Sequence, residues 1–220
     1  MAFEINLWLE SIINKLKSKF AQRLLFVGLQ GSYNRNEATD ESDIDLVVIL
    51  DEFNFDDIKS YKNIINEMPY SEKACGFVSG QKELKNWSKS DLFQFFYDTK
   101  PLLGDLSAIT APPSKLDIEQ SVKIGCENLY HAAVHSFLHS KNLAEDLISL
   151  YKMTFFILQS VYFLKLNEYI PTKQELLKKL DGADKNILKT CINREDIKTK
   201  EISEIEYLYN QLIKWCAEKI

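Results

Sequence analysis

The sequence has no surplus of positive charge, few cysteines and no low-complexity stretch. Its net charge is −5 and its pI is near 5.4. This balance argues against broad binding to nucleic acid, which needs a basic surface, and suits a cationic small substrate better. The four cysteines form no Cys-x-x-Cys pair, so we expect buried thiols in a reducing compartment rather than disulfides or a zinc site.

The sequence also lacks the marks of a membrane or exported protein. No apolar run approaches the ~18 residues that a membrane-crossing helix needs. The N-terminus has neither a basic start nor a small-residue cleavage site. We therefore expect a cytoplasmic protein, a monomer or homodimer, with no membrane partner.

Glycine becomes scarce beyond residue 105, where only two of the seven glycines lie. Two adjacent prolines within 109–117 mark the same change, because proline cannot continue a helix. We therefore predict two domains, residues 1–110 and residues 111–220.

The first domain alternates between helical and strand patterns, so we predict a small mixed sheet with helices. Helices are predicted over 4–19 and 55–67, with one or two more within 81–98, and strands over 23–29, 44–50 and 73–80. Aromatic residues at 93, 95, 96 and 97 are expected to pack in the core.

The second domain is predicted to be an all-α bundle. Its helices are expected over 117–140, 144–168, 172–180, 184–192 and 201–219. Asp117 and Thr172 are the predicted N-caps.

The stretch GSYNRNEATDESDIDLVVIL, residues 31–50, holds the strongest chemical signal. Asp43 and Asp45 alternate at the start of a strand, so both side chains point to one face, about 6.6 Å apart at the backbone. Two such carboxylates suit a divalent cation, and Mg²⁺ is usually held by one or two carboxylates together with substrate phosphates. The turn at Gly31 and Ser32 offers backbone N–H groups and a hydroxyl to a phosphate.

With Gly31-Ser32, a ten-residue gap and Asp43-Ile44-Asp45, this stretch resembles the DNA polymerase β type of nucleotidyltransferase superfamily. The resemblance implies an enzyme that transfers a nucleoside monophosphate from a nucleoside triphosphate, with ATP as the expected donor, to the hydroxyl of a small acceptor. It implies that Asp43 and Asp45 are catalytic metal ligands for Mg²⁺. It also implies that Gly31, Ser32, Arg35 and Ser42 contact phosphates.

The wider chain is similar to the streptomycin and spectinomycin adenylyltransferases, chiefly over residues 147–176. This similarity implies that Lys173 reaches the triphosphate, and that the acceptor is a hydroxylated compound such as an aminoglycoside. Because a lysine at a helix start is opposed by the helix dipole, its position favours a functional role.

One departure from that family leaves the activity open. Relatives carry a third carboxylate on the next strand, where this sequence has Cys75, and Glu72 lies about 10 Å further along. A catalytically weak or regulatory nucleotide-binding module, such as the nucleotidyltransferase of a toxin–antitoxin pair, is therefore the alternative. The RNase motif of such pairs is not found, since no histidine follows Arg194. A polymerase acting on nucleic acid is disfavoured by the acidic charge.

All three histidines recur every four residues on one helix, which places them on one face. Together with Glu127 they are His131, His135 and His139. Three interpretations stay open: a metal site, a polar stripe that contacts the acceptor, or an ordinary stripe of core or surface residues.

Overall fold

The structure, a computed structural model, describes residues 4–220, so residues 1–3 of the predicted first domain lie outside the described residues. The chain divides into two compact units, Met1–Pro112 (unit 1) and Pro113–Ile220 (unit 2).

Unit 1 contains a four-stranded sheet and several helices. In chain order the elements are α1 Ile5–Phe20, β1 Leu24–Gln30, α2 Gly31–Asn34, β2 Ile44–Leu50, α3 Phe55–Asn66, β3 Ala74–Gly80, α4 Gln81–Lys85, α5 Leu92–Tyr97 and β4 Lys100–Leu103. The strand order is β3-β2-β1-β4. Strand β1 is antiparallel to β2 and β4, whereas β2 is parallel to β3, so the predicted mixed sheet is confirmed.

Apart from Asp45, strand β2 is apolar throughout, as expected for a strand that is covered on both faces. Its residues Ile44, Leu46, Val48 and Leu50 belong to a core formed with the buried stripe of α1. Val47 and Ile49 belong to the opposite core, which also holds Leu84, Leu92 and Leu106. The aromatic stretch packs against this second core or lies near it, as predicted: Phe95 and Phe96 line it and Phe93 is buried.

Strand β4 was not predicted, because Pro101 lies within it. Proline cannot donate to a ladder and is confined to sheet edges. Among the described residues 4–220, strand β4 lies at the edge of the sheet, where its one partner strand is β1, so this position fits a proline.

Unit 2 consists of five α-helices with a short 3₁₀ helix between the last two. They are α6 Lys115–His139, α7 Leu143–Leu166, α8 Lys173–Lys179, α9 Gly182–Ile192 and α10 Ile202–Ala217, with the 3₁₀ helix at Arg194–Thr199. The predicted helical bundle is confirmed. Apolar residues of α6, α7, α9 and α10 form one large buried core.

The predicted cap of α6 needs correction. Ser114 is the N-cap, and Asp117 is the third helical residue, whose carboxylate returns a bond to the Ser114 N–H in a capping box. The predicted cap at Thr172 is correct, because its hydroxyl accepts from the Glu175 N–H.

Helix α7 also corrects a sequence expectation. By length and composition alone it is apolar enough to cross a membrane, and it is the one such helix among residues 4–220. More than half of its apolar segment is buried within the structure, where it supplies much of the core of unit 2. A long apolar helix of this kind is also what the centre of a helical bundle requires.

The cysteines follow the expectation in three cases out of four. Cys126, Cys191 and Cys216 are buried free thiols, but Cys75 is exposed.

Candidate active site

Gly31 joins strand β1 to the one-turn helix α2 in a left-handed backbone conformation, with φ of +72°. A Cβ atom placed there would lie 1.9 Å from Oδ2 of Asp45. Glycine is therefore needed twice, for the backbone conformation and for the close approach of the carboxylate. The structure thus brings Asp45 against the glycine-serine turn.

Asp43 and Asp45 lie at the start of β2. Asp43 is exposed, and Asp45 is half-buried between Gln30 of β1 and Cys75 of β3. Within residues 4–220 neither carboxylate has a hydrogen bond or an ion pair. Burial raises the pKa of Asp45, the nearby charge of Asp43 raises it further, and Arg35 acts in the opposite direction. Two repelling carboxylates without a protein cation suit a divalent metal.

Ser32 is the second residue of α2 and is half-buried beside this turn. Ser42 instead closes the turn before β2, where its Oγ accepts from the Thr39 N–H at 2.9 Å. Arg35 ends α2, and its guanidinium pairs with Asp98 and, at 3.4 Å, with Glu37. Ser42 and Arg35 therefore have protein partners where the sequence predicted phosphate.

Asp98 is a component of this region that sequence reasoning missed. It follows α5 and is buried, and its Oδ2 accepts from the Gly31 N–H at 3.2 Å as well as from Arg35. Its own carbonyl accepts from Asn34 Nδ2 at 2.7 Å. Beside it, Thr99 Oγ1 accepts from Gln30 Nε2 at 2.6 Å. Hydrogen bonds to Asp98 and Thr99 thus hold the glycine-serine turn in place.

The expected place of a third carboxylate is occupied by cysteine. Cys75 of β3 is paired in register with Asp45 and is exposed, whereas Glu72 lies in a short 3₁₀ turn before the strand. Among residues 4–220, no group of three His, Cys, Asp or Glu side chains is placed to hold a metal ion. The protein ligands of a cation site would be Asp43 and Asp45. Two carboxylates suit Mg²⁺, because this ion keeps several waters and also binds substrate phosphates.

The three histidines line the exposed face of α6. The ring centroids are 6.1 Å apart for His131 and His135, and 4.9 Å apart for His135 and His139. Glu127 pairs with Lys123 at 3.9 Å, so it belongs to the solvated face of the helix.

Lys173 is the first residue of α8, directly after its N-cap Thr172. Its Nζ lies 4.9 Å from the ring centroid of Phe155 on α7. The ammonium thus rests on an aromatic face within unit 2.

This chain matches known proteins in two comparisons, one with family models and one with solved structures. Residues 9–92 match a family model described as "Nucleotidyltransferase domain". Eleven solved chains match in structure, among them spectinomycin adenyltransferase AAD(9) from Enterococcus faecialis, solved with ATP and spectinomycin. That match has a TM-score of 0.53 and 14% identity, and covers 94% of this chain and 98% of the other. A search of curated proteins gives no match.

At 14% identity, the structural likeness supports a shared fold and no more. The family match covers the glycine-serine turn, the Asp-x-Asp strand and β3. The match therefore bears out the predicted nucleotidyltransferase domain, a domain of enzyme type, for residues 9–92.

Proposed function

We propose that this chain is a magnesium-dependent enzyme that transfers a nucleoside monophosphate to a small hydroxylated acceptor, because residues 9–92 match a nucleotidyltransferase domain. The observation that carries the proposal is the Asp45 carboxylate lying against Gly31, where metal and phosphate chemistry would meet. ATP is the proposed donor, and a cytoplasmic monomer or homodimer is the proposed state.

The proposed reaction joins an acceptor oxygen to the α-phosphorus of the triphosphate. The bond from that phosphorus to the oxygen that bridges it to the β-phosphate breaks, pyrophosphate leaves, and the acceptor hydroxyl gives up its proton to water. A bound divalent cation would neutralise the triphosphate charge. Asp43 and Asp45 would hold that cation, while the N–H groups at Gly31 and Ser32 would orient the phosphates.

Lys173 is proposed to contact the triphosphate, and an aminoglycoside-like compound is the proposed acceptor. The acceptor proposal is supported by the fold shared with an adenyltransferase solved with spectinomycin, and by the net charge of −5, which suits a cationic acceptor. Because Ser42 and Arg35 already have protein partners, direct phosphate contact is proposed first for Ser32.

A second candidate is a nucleotide-binding module with weak or no turnover. It is favoured by one observation, the cysteine at the register position beside Asp45. Without a third carboxylate, the acceptor hydroxyl lacks the general base that the resemblance implies.

Calorimetric titration tests the proposal. Wild type is titrated with ATP, GTP, CTP and UTP, each with and without Mg²⁺, beside Asp43→Asn/Asp45→Asn and Asp40→Asn. The last variant removes an exposed charge from the same loop and serves as the control. We expect magnesium-dependent binding that the double variant loses and the control keeps. A wild type that binds no triphosphate, or equal binding in all three proteins, would refute the cation site.

Pyrophosphate release separates the two candidates. Wild type with ATP, Mg²⁺ and either spectinomycin or streptomycin should release pyrophosphate if the enzyme proposal is right. If triphosphate binds but only a Cys75→Asp variant turns over, the chain is the binding module.

A further inference from the structure

Two carboxylates lie against Gly31, and within residues 4–220 Asp98 is paired whereas Asp45 is not. Asp98 Oδ2 accepts from the Gly31 N–H at 3.2 Å and also binds the Arg35 guanidinium. Asp45 Oδ2 lies against the same glycine, 1.9 Å from where a Cβ atom would stand. Arg35 is therefore paired with one of the two acids that lie against this glycine.

The Arg35 side chain is largely buried, so the loss of its carboxylate partner would be costly. Arg35 and Asp98 each expose only 9% of their side chains. A buried guanidinium without a carboxylate is costly, so loss of Asp98 would drive Arg35 toward another acid. Glu37 already contacts it at 3.4 Å, and Asp45 is the unpaired acid beside the turn.

We propose that Asp98 is a positioning residue: it holds Arg35 on its own carboxylate and so keeps the Asp45 carboxylate available to a divalent cation. This inference rests on the proposed function, because it concerns the same cation site. Asp98 also fixes the Gly31 N–H, which sets the turn against which Asp45 lies.

The proposed effect of Asp98 arises because a guanidinium and a cation compete for the same carboxylate oxygens. A guanidinium binds a carboxylate through two N–H donors and occupies the oxygens that a cation needs. With Asp98 ionised, the arginine is satisfied and Asp43 and Asp45 together keep an uncompensated negative charge. With Asp98 made neutral, Arg35 would cancel the charge of Asp45, and cation affinity would fall.

Mn²⁺ binding, followed by electron paramagnetic resonance of the free ion, tests the proposal without relying on turnover. The proteins are wild type, Asp98→Asn, Arg35→Gln and the double variant Arg35→Gln/Asp98→Asn. We expect Asp98→Asn to weaken Mn²⁺ binding by about tenfold, the factor expected for about 1.4 kcal/mol. The double variant should return to wild-type affinity within about threefold, because no guanidinium remains to compete.

The double variant distinguishes positioning from simple support of the fold. If Asp98 only stabilised unit 1, removing Arg35 as well would not restore binding, and that outcome overturns the proposal. Unchanged binding in Asp98→Asn overturns it too. Circular dichroism and thermal unfolding check that each variant folds.

If Asp98→Asn fails to fold, Arg35→Gln decides the matter. Its Mn²⁺ affinity must equal or exceed that of wild type, and a fall would overturn the proposal. A wild type that binds no Mn²⁺ would instead remove the cation site and the proposed function together. Mn²⁺ binding by wild type leaves the proposed function standing whatever the Asp98 variants show.

Discussion

Gly31 sets the geometry around which the candidate site is arranged, so its replacement is the most direct residue-level experiment. Alanine would have to adopt φ of +72° and place its Cβ 1.9 Å from Asp45 Oδ2. We expect Gly31→Ala to destabilise unit 1 by more than the ~1–2 kcal/mol of left-handed strain, and to abolish magnesium-dependent triphosphate binding. Thermal unfolding and calorimetry measure the two effects.

Gly182 provides a matched control. It has a positive φ of +50°, but no atom lies within 4 Å of a Cβ built on it. Gly182→Ala should therefore show the backbone strain alone and leave triphosphate binding intact. Equal effects of the two substitutions would show that the contact with Asp45 is unimportant.

The raised pKa of Asp45 predicts that the free energy of unfolding depends on pH. Burial, and then the charge of Asp43, raise its pKa. A raised folded-state pKa means that its contribution to stability is present below the unfolded pKa and lost as pH rises through the folded value. At neutral pH the ionised group therefore costs stability.

We accordingly expect Asp45→Asn to raise the thermal midpoint at neutral pH in metal-free buffer. The gain should shrink toward about pH 4, where an ordinary aspartate is protonated. Unfolding of both proteins across that range measures it. A midpoint that falls at neutral pH would contradict the assignment.

Most of the candidate site residues that the sequence indicates lie close together along the chain. Gly31, Ser32, Asp43 and Asp45 fall within one turn and strand, and the structure places Asp45 against the turn. Asp98 could not be found this way, because it reaches Gly31 across 67 positions and belongs to no local pattern. The partner of Arg35 was missed for the same reason.

At the scale of the element, Asp184 connects three helices of unit 2. It lies in the first turn of α9, and its carboxylate accepts from Trp215 Nε1 at 2.7 Å. It also pairs with Lys219 at 2.9 Å and with Lys165 of α7 at 3.2 Å. Burial alone would raise its pKa, but the bonds from Trp215 and the two lysines outweigh burial, and the pKa is lowered.

We expect Asp184→Asn to destabilise unit 2 by about 2–3 kcal/mol at neutral pH, since two lysines lose their charge partner. Because the folded-state pKa is lowered, the stability from Asp184 is present above the unfolded pKa and lost as pH falls through the folded value. The difference from wild type should therefore shrink in acid. Asp181→Asn, an exposed charge change at the start of the same helix, should have little effect.

Most helices and strands could be predicted from the spacing of apolar residues. The buried residues of α1 recur at helical intervals, and β2 is apolar without interruption from Leu46 to Leu50. Strand β4 was missed because Pro101 argues against a strand unless it lies at an edge, and edge position is set by the sheet as a whole. The cap of α6 was misplaced because both Ser114 and Asp117 are good capping residues.

At the scale of the whole molecule, each unit has a core of its own. The buried clusters of unit 1 use residues between Trp8 and Ile109, and that of unit 2 uses residues between Val122 and Cys216. We expect residues 1–112 and residues 113–220, expressed separately, each to keep its secondary structure and unfold cooperatively. Circular dichroism during heating measures this, and a fragment without a cooperative transition would show that its core is incomplete.

Helix α7 has a consequence for synthesis on the ribosome. Its apolar sides are covered by α6 and by α9 and α10, and the latter two are made later. At translation rates of about 5–20 residues per second, about 50 residues separate the ends of α7 and α10, or roughly 3–10 s. For that interval the nascent chain carries a helix that resembles a membrane segment, so co-translational chaperones are expected to hold it until α10 emerges.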